Sequence, residues 1–316
     1  MQALARGSSS TPANPVLELF TPVDGVLRDV DQIEYAIIER RDGPPAQVFP
    51  ETGMAAAERI GEGHYVATYD VPGDAPLGRY AVRWLVRAVG EWRFETRFEV
   101  LAAPVEAPLP GYCLIQDLRD EGFEQVSDAR IARCIELASR YIESVTGRFF
   151  EPRRQSLTLD GGGTRELLLD QPVIAVETID GRSAADVVVY GRHLSQGLAL
   201  PDDRESPRLR LAALRGFQNV RVTGLFGYTE PDGSLAGRTP RLIREVCMRL
   251  VARELPRLAD VGAREDARQR HRLLQEKTRE QSYSLDKRPH RGGLTGDPDI
   301  DDILVQFMRP VGLGAA

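Results

Sequence analysis

The aspartates near the C-terminus have the spacing of a cation-binding loop. Asp297, Asp299 and Asp301 stand at relative positions one, three and five, where a calcium-binding helix–loop–helix places carboxylate ligands. Such a loop has glycine at position six and glutamate at position twelve, whereas this chain has Asp302 and Met308 there. Carboxylates also stabilise the N-terminus of a helix through its dipole. The pattern therefore favours a short helix capped by Asp297 or Asp299 over a calcium site.

The other residue types that could bind or react do not fall into recognised motifs. A phosphate-binding P-loop requires a lysine directly after a glycine, which neither lysine of this chain has, so the glycines at 161–163 are predicted to form a hairpin turn. The stretch 61–66 begins like a dinucleotide-binding loop, but Val66 occupies the third glycine position. The histidines lie in separate segments without a partner at metal-ligand spacing: His64, His193, His271 and His290. We therefore predict that the protein is not an enzyme and has no cofactor or bound metal.

Three cysteines, Cys113, Cys134 and Cys247, are widely spaced along the chain. An odd number at this spacing does not predict a disulfide framework or a zinc ribbon, and it fits a reducing compartment. Cys134 and Cys247 fall on the apolar stripes of predicted helices. Cysteine at such positions usually packs as a small hydrophobic residue, so a packing role is expected for both.

Length and composition place the chain among globular proteins. Its 316 residues exceed the size to which a single hydrophobic core usually grows, so two domains are expected. Hydrophobic residues make up 42% and charged residues 28%, which excludes disordered, collagen-like and membrane-embedded chains. Residues 1–15 lack the apolar core of a secretion signal, and no apolar run reaches the roughly 18 residues of a spanning helix. A soluble protein that stays in the bacterial cytoplasm is expected.

The net charge of −6 conceals a basic segment. Residues 238–291 contain 15 lysines and arginines against 8 aspartates and glutamates, a local charge of +7. A basic helical end on an acidic body can face nucleic acid or an acidic protein surface. The alternative is a solvated helix with mixed-sign pairs, such as Glu276 and Glu280 beside Arg272 and Lys277. The charge pattern leaves these alternatives open.

Strand patterning dominates the N-terminal third. Residues 16–101 alternate polar and apolar positions between turn formers, which predicts an antiparallel β-sandwich of the immunoglobulin-like type. Its strands are expected near residues 16–20, 32–39, 64–71, 79–86 and 92–100. Residues 1–15 are predicted to be a flexible N-terminus, and the proline-rich stretch 102–111 an interdomain linker.

Helical periodicity dominates the second domain, predicted at 112–316. Helices are expected at about 127–146, 239–258 and 263–281, the first capped by Ser127 and ended by Gly147. A small β-unit is inserted at about 153–228, with strands expected near 155–159, 165–169, 173–179, 186–190, 209–211 and 219–224. The C-terminal segment 292–310 is predicted to be a loop and a short helix. The predicted fold class is therefore α+β, a sandwich followed by a helical domain with an inserted β-unit.

Three blocks of the second domain follow one another in a characteristic order. The first is the helix from residue 129 that runs into a Thr-Gly-Arg-x-Phe turn ending at Phe150, followed by the glycine turn at 161 and the Pro-Val-Ile run ending at Ile174. The second is residues 222–228 before Thr239-Pro and the next helix, and the third is residues 282–285 and 293–310. Taken in order, these blocks resemble the head–tail connector (adaptor) proteins of tailed bacteriophages, and the resemblance covers about 112–310. The β-insertion and the N-terminal sandwich depart from the compact helical members of that family.

The resemblance implies a virion structural protein without enzymatic activity. Identical subunits would form a ring under the portal, extend the DNA channel and join the capsid to the tail; closing a ring requires two unlike patches on each subunit. The implied partners are other copies of the chain, the portal protein, a tail or stopper protein and, transiently and without sequence specificity, genomic DNA, but no membrane. The implied location is the virion neck, after assembly in the host cytoplasm.

The same resemblance assigns candidate contact residues. The residues expected to face the portal or the channel are Arg264, Arg268, Arg270, Arg272, Lys277 and Arg279. The residues expected to form a C-terminal docking segment are Leu294, Ile300, Ile303, Leu304 and Phe307. The alternative function is a bacterial binding or adhesion protein whose sandwich recognises a carbohydrate or a protein; it predicts exposed aromatic side chains on the sandwich.

Overall fold

The computed structural model describes most of the chain. The described residues are 2–23, 25–40, 44–88, 90–104, 111–161, 163, 166–169, 171–183, 188–189, 208–210, 215–234, 236–255, 275–277, 282–284 and 294–308. They form an α+β protein with more residues in strands than in helices. The chain divides into two compact units, which we call the β unit (Met1–Leu109 with Phe149–Arg241) and the helical unit (Pro110–Arg148 with Leu242–Ala316).

This division differs from the predicted boundary. The sequence places everything after residue 112 in one domain, whereas the structure assigns Phe149–Arg241 to the β unit. A short N-terminal strand, Val26–Leu27, pairs in parallel with the strand Val173–Ile179, with Val26 opposite Val176. Segments separated by about half the chain thereby share one sheet. The inserted β-unit is therefore part of the N-terminal unit rather than of the helical one.

The strands of the β unit fall in two chain segments. The first contains β1 (Gln2–Ala5), β2 (Ser9–Ser10), β3 (Glu18–Phe20), β4 (Pro22–Val23), β5 (Val26–Leu27), β6 (Gln32–Glu39), β7 (Ala46–Phe49), β8 (Ala55–Ala56), β9 (Glu58–Gly61), β10 (His64–Val66), β11 (Tyr69–Asp70), β12 (Gly78–Arg87) and β13 (Glu91–Leu101). The second contains β14 (Arg153–Gly161), β15 (Glu166–Leu168), β16 (Val173–Ile179), β17 (Arg182–Ser183), β18 (Val188–Val189), β19 (Arg208–Arg210) and β20 (Gly216–Phe226). A strand lies at or within each of the predicted strand positions, except that β10 and β11 divide the stretch 64–71.

The first large sheet has the strand order β1-β13-β12-β6-β7, with β8 also paired to β6. Along β12, the alternate residues Tyr80, Val82, Trp84 and Val86 are almost fully buried, as the two-residue period of a strand requires. They share one apolar cluster with side chains of a smaller sheet, β3-β10-β9, such as Tyr65. Residues 1–15 are not the predicted flexible terminus, because β1 pairs in parallel with β13 and β2 pairs with β11.

The second large sheet has the order β14-β20-β16-β5-β4. The predicted hairpin around residues 161–163 is wrong, because β14 pairs with β20 and β15 pairs with β19. The register sets Leu157 opposite Val222, and both belong to the apolar cluster on one face of the sheet. Gly224 lies so close to β16 that a Cβ atom there would stand 2.3 Å from the Ala175 carbonyl oxygen. Only glycine fits that backbone approach.

The helical unit contains α1 (Ile115–Asp120), α2 (Asp128–Thr146), α3 (Arg241–Glu254) and α4 (Pro298–Phe307). Helix α2 confirms the predicted bounds: Ser127 is its N-cap residue, and Gly147 ends it with a left-handed φ of 67°. Its buried stripe includes Ile131, Ile135 and Ile142, spaced as a helix face requires.

One predicted helix is contradicted in part. The sequence predicts a helix over 263–281, but Gln275–Lys277 forms strand β21, which pairs with strand β22 (Ser282–Ser284). Residues 263–274 and 278–281 lie outside the described residues. The segment has few apolar residues, so it lacks the stripe that stabilises a helix through packing.

Candidate functional site

The C-terminal helix α4 packs inside the helical unit. Ile300 and Leu304 are fully buried, one helical turn apart, and α4 contacts α2. Asp297 caps the helix, its side chain accepting hydrogen bonds from the backbone N–H groups of Asp299 and Ile300. This confirms the predicted cap. Asp297 thus acts as the N-cap of a helix inside this unit.

The predicted docking segment is divided between interior and surface. Ile300 and Leu304 stabilise the helical unit itself, so they do not form the expected contact surface. Leu294, Ile303 and Phe307 are half-buried, and each keeps part of its side chain accessible. The sequence did not separate these two groups because i, i+4 spacing marks an apolar face without showing what covers it.

The structure describes one of the six basic candidates. Arg264, Arg268, Arg270, Arg272 and Arg279 lie outside the described residues, and Lys277 is the last residue of β21. Their predicted role facing the portal or the channel stays a prediction.

A cleft of about 540 Å³, lined by both apolar and polar side chains, lies between α2, α3 and the segment before α4. Cys134, Leu137 and Ala138 line it from α2, and Leu250 lines it from α3. Leu137 is 57% exposed, a high value for a leucine in the middle of a helix. The cleft therefore presents accessible apolar surface of the kind that a protein partner covers.

Polar side chains hold the loop at one end of this cleft. The Tyr141 hydroxyl donates to the Leu294 carbonyl at 2.5 Å, and Arg253 Nη2 donates to the Thr295 carbonyl at 3.2 Å. The Thr295 N–H and hydroxyl in turn donate to Oδ1 of the buried Asp301. Burial raises the pKa of Tyr141, and the nearby charge of Asp301 adds to the rise while Arg253 opposes it. These bonds fix the loop 294–296 between α2 and α3.

A buried ion pair joins α1 to α3. Arg244 donates from Nε and Nη2 to the two carboxylate oxygens of Asp117, at 3.0 and 2.7 Å. The Asp117 side chain is 1% exposed, and Oδ2 also accepts the Leu114 N–H at the start of α1. Such two-point geometry makes this pair a precise positioning contact.

A second buried cluster contains the side chains of Cys113, Cys247 and Ser139. The sequence does not predict that these residues meet. The Sγ atoms of Cys113 and Cys247 are 3.5 Å apart, and the Ser139 Oγ is 3.7 Å from the Cys247 Sγ. The sequence assigned Cys247 to a core, which its burial confirms, but a separation of 134 residues hid its proximity to Cys113. No local spacing signals such a pair.

The described part of the chain holds no group of three or more histidine, cysteine, aspartate or glutamate side chains able to bind a metal ion. Among the same residues, no helix is both long and apolar enough to cross a membrane. Comparisons with protein-family models, with curated proteins and with solved structures found no match to this chain.

Proposed function

We propose that this chain is a head–tail connector of a tailed bacteriophage or prophage, a ring-forming structural protein of the virion neck that docks under the portal, extends the DNA channel and receives the tail. The order of the three sequence blocks supports this proposal. Their described residues include helix α2 with its glycine stop, the end of β20, and helix α4. The β unit contributes an immunoglobulin-like sandwich.

The exposed apolar surface of the helical unit carries the proposal. Among the described residues, four of the seven exposed large hydrophobic side chains belong to this smaller unit: Leu137, Leu242, Val305 and Met308. Leu137, Leu242 and Val305 lie on three different helices, and Met308 directly follows the last of them. A subunit in a closed ring needs two unlike contact patches. Exposed apolar side chains on separate helices can form both patches.

The charge distribution is compatible with a channel. Residues 238–291 carry a charge of +7 in a chain whose net charge is −6. A channel wall must attract DNA weakly enough to let the genome pass, and a modest basic patch on an acidic body meets that requirement. Arginine also pairs bidentately with carboxylates, so the same segment suits an acidic portal surface.

The alternative of a binding or adhesion protein depends on the sandwich surface. In the described part of residues 16–101, the exposed large hydrophobic side chains are Val48 and Leu77, both aliphatic, while the exposed aromatic Phe217 belongs to the second segment of the β unit. Carbohydrate recognition by stacking requires exposed aromatic rings, and neither Val48 nor Leu77 provides one.

A matched pair of variants tests the ring interface. Leu137→Asp places a charge on the helical unit and Leu77→Asp places one on the β unit, at positions of similar exposure, 57% and 50%. Both should fold, because neither side chain is buried. We expect Leu137→Asp to lose ring assembly in light scattering and Leu77→Asp to keep it; equal assembly of the two variants would contradict an interface at α2.

A second pair tests portal docking by the basic segment. Reversing Arg268, Arg270 and Arg272 to glutamate should weaken co-sedimentation with the cognate portal ring at least about tenfold, because each substitution removes an attraction and adds a repulsion across the interface. The control reverses three exposed arginines outside this segment and changes the net charge by the same amount; it should leave docking intact. Its positions are Arg59, Arg93 and Arg140. If the first set of substitutions leaves docking unchanged, this segment does not contact the portal.

A further inference from the structure

The two buried sulfur atoms of the helical unit are close enough to react with each other. Cys113 lies just before α1 and Cys247 lies in the middle of α3, with their Sγ atoms 3.5 Å apart. Cys113 is 1% exposed and Cys247 is fully buried. We propose that Cys113 and Cys247 are a redox pair that closes an intramolecular disulfide when the protein meets hydrogen peroxide.

The surroundings of Cys247 favour its thiolate. The Cys113 thiol donates to the Cys247 sulfur, and the backbone N–H of Cys113 also contributes a hydrogen bond to it. Ser139 Oγ accepts the Tyr112 N–H at 3.2 Å, which leaves its own proton available for the Cys247 sulfur. The hydrogen bond from Cys113 lowers the pKa of Cys247 below that of an ordinary thiol, although burial opposes this. A thiolate is the form that attacks an oxidant.

Cys113 has the complementary properties of a resolving thiol. Its hydrogen bond to Cys247 and its burial raise the pKa of Cys113 well above the ordinary value. The Cys113 thiol is therefore the weaker acid of the two, and the Cys247 thiol ionises first. The pair consequently places the more readily formed thiolate, Cys247, in contact with a less acidic thiol.

The reaction is balanced by one molecule of peroxide. The Cys247 thiolate attacks one peroxide oxygen, the O–O bond breaks, and the leaving hydroxide takes up the proton that the thiol had released, forming water and a sulfenic acid. The Cys113 sulfur then attacks the Cys247 sulfur, the S–O bond breaks, and hydroxide leaves with the Cys113 proton as a second water. Two thiols and one peroxide thus give one disulfide and two waters.

The geometry requires only a small movement and selects a small oxidant. The sulfur atoms must approach by about 1.5 Å to reach a disulfide bond length of about 2.0 Å. Because both are buried, hydrogen peroxide enters through brief local openings that exclude bulky disulfides. The bond joins positions 134 residues apart, and closing a long loop removes much conformational entropy from the unfolded chain. The oxidised protein should therefore be the more stable form.

The experiment uses the full chain and needs no variant for its main result. The reduced protein is treated with hydrogen peroxide, its remaining thiols are blocked in denaturant, and it is digested for mass spectrometry. We expect a cross-linked Cys113–Cys247 peptide pair, an intact mass lower by two hydrogen atoms, and a melting temperature raised by about 5 °C or more, all reversed by a thiol reductant. Peroxide-treated protein without that cross-link, with Cys134 oxidised instead, would overturn the proposal.

Single variants assign the two roles. Cys134→Ala is the matched control, since Cys134 is half-buried on α2, and it should keep the cross-link. Cys113→Ser, which keeps a hydrogen-bond donor beside Cys247, should leave a sulfenic acid on Cys247 that dimedone traps, whereas Cys247→Ala should leave Cys113 unlabelled. Dimedone labelling of Cys113 in the second variant, equal to that of Cys247 in the first, would contradict the assigned nucleophile. Neither result depends on the proposed connector function, since ring assembly is measured separately.

Discussion

Arg244 on α3 holds both carboxylate oxygens of Asp117 on α1, although the two residues are 127 positions apart in sequence. The Asp117 side chain is 1% exposed, while Arg244 is 35% exposed. The buried charge is therefore the carboxylate, and the guanidinium reaches it from the partly hydrated side. This contact fixes the first helix of the unit against the helix that follows the β insertion.

Removing the guanidinium should destabilise the helical unit strongly. Arg244→Ala leaves the Asp117 carboxylate buried without its bidentate partner, which costs about 3 kcal/mol in free energy of unfolding. Arg249→Ala is the control on the same helix, because its partners Glu245 and Asp299 are exposed and such pairs each contribute less than about 1 kcal/mol. Urea unfolding of both variants measures the difference; equal costs would show that the buried pair does not stabilise α1 against α3.

Side-chain truncations on α4 test whether this helix is part of the core of the helical unit or only a docking segment. Leu304→Ala deletes a fully buried side chain and should cost about 2–5 kcal/mol in the free energy of unfolding. The adjacent Val305 is 44% exposed, so Val305→Ala should change that free energy by less than about 0.5 kcal/mol. Denaturant midpoints decide between the two roles. A Leu304→Ala protein as stable as the parent would mean that α4 is not part of the core.

Glycine at position 224 should be indispensable for the second sheet. In Gly224→Ala the new methyl group would collide with the Ala175 carbonyl of β16, so β16 and β20 must separate, at a cost of about 1–3 kcal/mol. Gly73→Ala meets no atom within 4 Å and serves as the control. Thermal unfolding compares the two proteins. Equal melting temperatures for both variants and the parent protein would contradict this prediction.

The β unit should lose stability at alkaline pH through Tyr35. Burial raises the pKa of Tyr35 to about 12, while its hydroxyl donates to the Thr68 carbonyl at 2.5 Å. A phenol in the unfolded chain has a pKa of about 10, so the stabilisation is complete below pH 10 and is lost as the pH rises towards 12. Tyr35→Phe should flatten this part of the stability profile. An unchanged profile in that variant would assign the alkaline loss to other groups.

Local patterns predicted the elements with the clearest periodicity. Every second residue of β12 from Tyr80 to Val86 is apolar and buried, and α2 combines an apolar stripe with Ser127 and Gly147 at its ends. Each of these signals is contained within one element. This is why the bounds of those elements agree with the structure to within one residue.

These local patterns do not predict contacts between segments that are distant in sequence. The parallel pairing of Val26 with Val176 joins two short apolar stretches that many other strands could have matched, so the unit boundary was misplaced. The Asp117–Arg244 and Cys113–Cys247 contacts likewise depend on how helices meet in space. Sequence placed Ile300 and Leu304 on an apolar face, but only packing shows that this face is turned inward.

The mass of the assembly in solution tests the proposed connector function most directly. Sedimentation of the full chain, alone and mixed with the cognate portal ring, distinguishes the 35.0 kDa subunit from a closed oligomer many times larger. We expect a ring-sized species that co-sediments with the portal. A 35.0 kDa monomer that ignores the portal at every concentration tested would contradict it.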